Sequence, residues 1–263
     1  MLWSDLEPER GIFAALDYAG TQPTNGSQNE KRGWSEKFAN GCAIALADEF
    51  REASEQKSSP LKGKRILPES LAAGTEPLTP LGAGTSKRID VTVTDRVLGL
   101  EVGASLKGLN FVDSGSGNYD KNLTGRLYEM ADEVRLVHEH LPHAFMVGIF
   151  FLPLASCSDK TDRGNSSFAN TVVKLRARTG RLDAALAAHA SRCDAAYVAL
   201  YALGTEAKGY KAGIVRFLNV FESPPRRGRP LIGATLSLTE MVEEIVAKAT
   251  GMDGVTWVEP EPD

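Results

Sequence analysis

The spacing of apolar residues changes along the chain from helical to strand-like and back. Over residues 35–54 apolar side chains recur every three or four positions, and Ser35 is available as an N-cap. Residues 90–94 and 98–107 instead alternate apolar and polar positions, as half-buried strands do. The pattern therefore predicts an amphipathic helix followed by two adjacent strands.

A second helix and a buried strand come next. Residues 126–140 place their apolar side chains on one stripe, and Pro142 ends that helix. Residues 144–152 (AFMVGIFFL) form a continuous apolar run, which is typical of a strand buried on both faces. The predicted core order is helix, strand, strand, helix, strand.

The rest of the chain adds further α/β elements. They are a basic helix over residues 168–178, an alanine-rich helix over 182–190, and strands over 195–203 and 213–221. Ser237 and Glu240 form a capping box at the start of a last helix, which runs to about Thr250.

Polar, glycine-rich and proline-rich stretches separate these elements. Residues 21–33 and 56–87 are predicted to be loops, and a loop as long as the second is often functional. The elements predict an α/β fold with a mixed central sheet flanked by helices. We expect a single domain over residues 1–263, with a core over about 34–153 and an extension over 154–263 that completes the sheet.

Composition and charge narrow the picture only slightly. The chain has 263 residues, 42% of them apolar and 24% charged, as in ordinary globular proteins. A net charge of −4 argues against holding nucleic acid through overall charge, but it leaves room for a local basic groove. Three well-separated cysteines without a CxxC pair, no leader-like start and no apolar run of about 18 residues predict a soluble cytoplasmic protein with no membrane association.

The two adjacent strands carry candidate chemistry. In the second strand, Ser105 and Lys107 share a face, and the first strand begins with Asp90. Phosphodiester hydrolysis needs a metal ion, usually Mg²⁺, held by oxygen ligands, and a cation that positions water or offsets developing charge. Asp90 suits the first task and Lys107 suits the second.

A second carboxylate is needed to complete this site. The position two residues before the lysine, where it commonly lies, is Ser105, which is more suited to filling space or contacting water. Glu101 lies roughly 20 Å along the strand from Lys107, too far to share one metal ion easily. Glu129 and Glu133 lie one turn apart on the following helix, so one of them is expected to supply the missing ligand.

Asp90, Ser105 and Lys107, with the following helix and the apolar strand, resemble the PD-(D/E)xK nuclease superfamily, and restriction endonuclease-like proteins in particular. The resemblance covers residues 90–153, about a quarter of the chain, and Ile89 stands where the family has proline. It is closest to a variant with Ser-x-Lys on the strand and the second acid on the next helix.

The resemblance implies a restriction endonuclease-like fold and a Mg²⁺-dependent endonuclease, with Mn²⁺ as a substitute, that cuts double-stranded DNA at specific sequences. Asp90 and one of Glu129 or Glu133 would bind the metal, and Lys107 would orient the attacking water. Cutting two strands takes two sites, so a homodimer is expected. Two alternatives remain: a catalytically inactive DNA-binding or assembly module of the same fold, and a nuclease subunit of a larger defence complex.

Basic side chains are candidates for contacts with DNA phosphates. They are Lys121 and Arg126 beside the site, Lys174, Arg176 and Arg178 on the basic helix, and Arg226, Arg227 and Arg229 in a proline-rich loop. His138, His140 and His143 lack the spacing of a zinc motif, and we expect them at the surface or at a helix end.

Overall fold

The computed structural model describes residues 2–71, 78–82, 84–160, 164–181, 189–206 and 209–251. Most of the alanine-rich helix predicted over residues 182–190 therefore lies outside the described residues.

Helices and strands are interleaved along the described chain. The helices are α1 (Arg10–Ala19), α2 (Gln28–Glu55), α3 (Leu123–His140), α4 (Ser167–Arg176) and α5 (Leu238–Thr250). The strands are β1 (Arg65–Leu67), β2 (Leu78–Gly82), β3 (Thr85–Arg88), β4 (Val91–Asp95), β5 (Gly99–Gly108), β6 (Phe145–Pro153), β7 (Ala195–Tyr201) and β8 (Val215–Asn219). Among the described residues, none of the helices combines the length and apolar character needed to cross a bilayer.

In the described part of the chain, six strands form one mixed sheet in the order β1-β4-β5-β6-β7-β8. The pairs β1–β4, β4–β5 and β7–β8 are antiparallel, whereas β5–β6 and β6–β7 are parallel. Strands β2 and β3 form a separate hairpin. One face of the sheet packs against α1, α2 and α5, and the other against α3 and α4. The predicted α/β class, with a mixed sheet flanked by helices, is confirmed.

β6 is the central buried strand that the apolar run predicts. All nine of its residues are buried. Alternate side chains reach the two cores: Val147 and Ile149 pack on the α2 side, whereas Met146 and Phe150 pack on the α3 side. Full burial of a large apolar side chain contributes about 1.5–3 kcal/mol, so β6 anchors both layers to the sheet.

Two of the predicted loops contain regular structure. The loop predicted over residues 21–33 is wrong from Gln28 onward, because Ser27 and Glu30 form a capping box that starts α2 there. The long connection predicted over 56–87 contains β1 and the β2–β3 hairpin. These strands have only three to five residues each, too few for a clear alternating pattern.

Candidate active site

Ser105 and Lys107 lie in the C-terminal half of β5, where this strand pairs with β6. Val102, Ala104 and Leu106 pack in the core on the α2 side, and the residues between them lie on the α3 side. The alternation breaks near the start of the strand, because Val93 pairs with Val102 but Thr94 pairs with Leu100. This irregularity leaves Glu101 as an extra residue, so the alternation that places Ser105 and Lys107 on one face does not continue through Glu101.

Glu133 of α3 contacts both candidate side chains of β5. The Ser105 hydroxyl donates to Glu133 Oε2 at 2.5 Å, and Lys107 Nζ lies 3.2 Å from the same oxygen. Glu129, one turn earlier, is half exposed and pairs with Arg126 at 2.7 Å. Of the two helix glutamates predicted to complete the site, the structure therefore brings Glu133 to the lysine.

Asp90 lies immediately before β4 and is tied to the same stretch of β5. Its Oδ2 atom accepts a hydrogen bond from the backbone N–H of Leu106 at 2.5 Å. Leu106 lies between Ser105 and Lys107 in the chain, so this bond fixes the acid beside the lysine. Asp90 and Lys107 also line the same cleft.

The carboxylates govern the charge of Lys107. Burial of its amine acts to lower the pKa of Lys107, but the negative charges of Glu133 and Asp90 and the hydrogen bond to Glu133 outweigh burial and raise that pKa above its usual value. The side chain is 14% exposed. At neutral pH the site therefore holds a positive charge in a sheltered position between two acids.

Lys87 and Arg88 are residues that the sequence reasoning missed. Both lie on β3: Lys87 is the last residue of the segment predicted to be a loop, and Arg88 follows it. Lys87 Nζ lies 4.0 Å from Glu133 Oε1, the oxygen not used by Ser105 and Lys107. Arg88 is exposed and lines the cleft. The signal available in the sequence was two basic residues separated from Asp90 by Ile89 alone.

The cleft beside this cluster is large and predominantly basic. It has a volume of about 1240 Å³. Six lysine or arginine residues and three acids line it, whereas the whole chain is acidic. Its basic residues are Lys31, Arg32, Arg88, Lys107, Lys121 and Arg126, and its acids are Glu36, Asp90 and Asp113.

The predicted DNA-contacting residues divide into two groups. Lys121 and Arg126 line the cleft, although Lys121 contacts Asp113 and Arg126 pairs with Glu129. The other residues are absent from the described lining. Arg227 donates to backbone oxygens of Ser158 and Lys160, Arg229 contacts Tyr210, Arg176 donates to backbone oxygens of Val220 and Glu222, and Arg178 stacks on Tyr128.

The donor set suits Mg²⁺ better than a metal held by protein ligands alone. Among the residues that the structure describes, no three His, Cys, Asp or Glu side chains form a metal-binding group. Asp90 and Glu133 supply two carboxylates. Mg²⁺ keeps several waters and binds through one or two carboxylates together with substrate phosphate oxygens, whereas structural zinc takes four side chains. The residues present therefore fit a magnesium ion completed by water and substrate.

Two further sequence expectations concern residues outside this cluster. Glu101 is bonded to Lys64 at 3.0 Å and buried at the other end of β5, away from Lys107 as its spacing implies. His138 lies in the last turn of α3, which is one of the two locations expected for it, but it is not at the surface: the side chain is 1% exposed and lies 3.2 Å from Asp194 Oδ2. Its other ring nitrogen contacts the backbone oxygen of Ala190 at 2.8 Å.

Comparisons of the chain with protein-family models, with curated proteins and with solved structures found no match in any of the three. The geometry of the site is therefore the basis for any functional conclusion.

Proposed function

We propose that the protein is a Mg²⁺-dependent endodeoxyribonuclease that hydrolyses phosphodiester bonds in double-stranded DNA, acting at specific sequences in the manner of restriction enzymes. The observation that carries the proposal is the meeting of Lys107, Ser105 and Glu133, with Asp90 tied to the same strand, at a wide basic cleft. The mixed sheet flanked by helices supports it, because the PD-(D/E)xK resemblance implies that fold class.

The carboxylates of Asp90 and Glu133 are the groups that would hold the metal. When bound, Mg²⁺ supplies Lewis-acid chemistry that polarises the phosphate and activates water. The backbone N–H of Leu106 holds Asp90, and the Ser105 hydroxyl holds Glu133. Neither carboxylate therefore has to reorganise much when substrate arrives.

Lys107 supplies the fixed positive charge. Its raised pKa keeps the amine protonated at neutral pH, so it can donate a hydrogen bond to the attacking water and offset negative charge that develops on the phosphate oxygens. Its attachment to β5, the strand paired with β4 and β6, keeps it in place. Because the described part of each chain holds one such site, cleavage of both DNA strands calls for a homodimer.

A second candidate function is a DNA-binding module without catalysis. One observation favours it: Glu133 Oε2 is already engaged by Ser105 and Lys107, which leaves fewer free oxygen atoms for a metal ion. Under this candidate, the basic cleft binds DNA and the cluster only stabilises the fold.

A plasmid assay separates the two candidates. Supercoiled DNA is incubated with the protein in Mg²⁺, in Mn²⁺ and in EDTA, alongside Lys107→Ala and the control Lys37→Ala, an exposed lysine of α2 that does not line the cleft. We expect metal-dependent linear product from the wild type and from the control, and none from Lys107→Ala. Cleavage by Lys107→Ala at the wild-type rate would refute the proposed role, and a gel shift in Ca²⁺ without cutting in Mg²⁺ would favour the binding module.

A further inference from the structure

The first two turns of α2 form a wall of the cleft opposite the end of β5. A helix face repeats every three to four residues, and the lining residues from this part of α2 follow that spacing. They are Gln28, Asn29, Lys31, Arg32, Ser35 and Glu36. The facing side of the cleft contains Lys107 and the chain that follows it.

This wall is held rigidly relative to the candidate active site. The Trp34 indole N–H donates to the backbone oxygen of Gly20 at 2.8 Å, and its ring lies 5.2 Å from Phe38 and 5.6 Å from Phe111, centroid to centroid. Trp34 thus anchors the start of α2 to the core and to the segment that follows β5.

Asn110 makes a second connection, three residues after Lys107. Its amide donates to the Ser35 hydroxyl at 3.3 Å and its side-chain oxygen accepts from Tyr201 at 3.0 Å. Gly108 makes room for it, because a Cβ atom at that position would lie 2.5 Å from Asn110 Nδ2. The α2 wall and the end of β5 are therefore joined through one buried side chain.

The cations on this wall are available to an anionic ligand. Lys31 Nζ lies 5.6 Å from the centre of the Phe111 ring. Arg32 pairs with Glu36 at 2.8 Å, but the side chains are 80% and 60% exposed. An exposed pair of this kind contributes only about 0–1 kcal/mol, so a phosphate group can readily take the place of Glu36.

We propose that Lys31 and Arg32 bind the phosphate backbone of the DNA substrate and hold it against the cleft, while Lys107 acts at the bond to be cut. This inference rests on the proposed nuclease function and assigns the DNA-contacting wall to a segment whose sequence reads as a loop. Phosphate contacts carry no base information, so the wall positions DNA without selecting its sequence.

Salt-dependent binding tests this inference without catalysis. Fluorescence anisotropy with a labelled duplex, in Ca²⁺, gives the slope of log affinity against log salt for the wild type, Lys31→Ala/Arg32→Ala and the control Lys37→Ala. This slope is negative, and each lost phosphate contact lowers its magnitude by about one. We expect the double variant to lose about two from the slope and roughly tenfold or more in affinity at moderate salt, with Lys37→Ala unchanged.

Folding of the variants is checked by circular dichroism. The variant Lys31→Met/Arg32→Gln keeps apolar contact with Phe111 and should show the same loss of slope. A double variant that folds normally and keeps the wild-type slope would overturn the assignment. Tighter binding of a single strand or an RNA duplex than of the DNA duplex would overturn the identity of the partner.

The outcomes also separate this inference from the proposed function. If the wild type binds but never cuts, while the double variant binds weakly, the assignment of Lys31 and Arg32 as phosphate contacts stands and the nuclease proposal fails. If the double variant binds and cuts like the wild type, the nuclease proposal stands and the assignment of Lys31 and Arg32 as phosphate contacts is wrong.

Discussion

A lysine contacts carboxylates at each end of β5, and the two clusters use the same residue types. At the C-terminal end, Lys107 lies 3.2 Å from Glu133, and the negative charge of Asp90 also acts to raise the pKa of Lys107. At the N-terminal end, Lys64 lies 2.6 Å from Asp95 and 3.0 Å from Glu101.

Access to the clusters differs more than their composition. Lys107 and Asp90 line a cleft of about 1240 Å³. Glu101 is 1% exposed, burial raises its pKa, and its Oε2 atom is buried without a hydrogen-bond partner among the described residues. A lysine between acids therefore indicates chemistry only where substrate can reach it, and elsewhere such a cluster ties strands together.

The largest expected contrast comes from neutralising one glutamate at each end. Glu133→Gln should lower the cleavage rate on the order of 10³-fold, because it removes a negative charge that would hold the metal and Lys107. Glu101→Gln should leave cleavage within about twofold, since Glu101 lies away from the cleft. Single-turnover cleavage rates measure both, and a large loss of activity in Glu101→Gln would contradict a purely structural role for Glu101.

Stability should show the opposite ranking. Lys64→Met should lower the free energy of unfolding by about 3 kcal/mol, because it leaves the buried Glu101 without its partner. Lys107→Met should cost less, since Ser105 still donates to Glu133. Urea denaturation measures both effects, with the exposed Lys62→Met as the control. An equal loss of unfolding free energy in Lys64→Met and Lys107→Met would contradict the division between a structural cluster at the N-terminal end of β5 and a candidate active site at its C-terminal end.

Buried hydroxyl groups offer a smaller test of the same division. Ser105→Ala should lower the cleavage rate by about fivefold, because a hydrogen bond that orients Glu133 contributes about 1 kcal/mol. Thr92 carries a buried hydroxyl with no hydrogen-bond partner in the described structure, so Thr92→Val should leave cleavage unchanged. Full activity in Ser105→Ala would show that Ser105 does not position the carboxylate, and an equal loss of activity in Thr92→Val would show that the effect is not specific to the hydrogen bond with Glu133.

The last and weakest effect is a loss of folding free energy at acidic pH, which we expect from the cluster around Lys64 at the N-terminal end of β5. The hydrogen bond from Lys64, followed by those from the backbone N–H groups of Leu98 and Val97, holds the pKa of Asp95 well below its usual value. A carboxyl whose folded pKa is lowered contributes stability above its unfolded pKa, about 3.9, and loses it as pH falls toward the folded pKa.

Asp95→Asn tests this effect because the amide keeps an oxygen that can accept from Val97 and Leu98. Unfolding of the variant, followed from pH 6 to pH 2, should depend less steeply on pH below about 4 than unfolding of the wild type. If the free energy of unfolding falls identically with pH in the two proteins, Asp95 does not contribute to the stability of the cluster around Lys64.

Long periodic segments were predictable from the sequence, and short ones were not. β6 and α5 follow their predictions closely, because the apolar run over residues 144–152 and a capping box are strong local signals. The start of α2 was missed although Ser27 and Glu30 form the same kind of capping box, because the residues after it are polar. The β2–β3 hairpin is stabilised by pairing and by the buried Leu81, which no local pattern discloses.

The α/β class was predictable from the sequence, and so was the placement of Ser105 and Lys107 on one face of a strand with Asp90 next to the start of the neighbouring strand, because alternation along a strand dictates which residues share a face. Neither the contact of Lys107 with Glu133, rather than Glu129, nor the contribution of α2 to the wall of the cleft could be predicted without the three-dimensional fold. Glutamates one turn apart are equivalent in sequence, and the contacts that α3 makes when it packs on the sheet select between them.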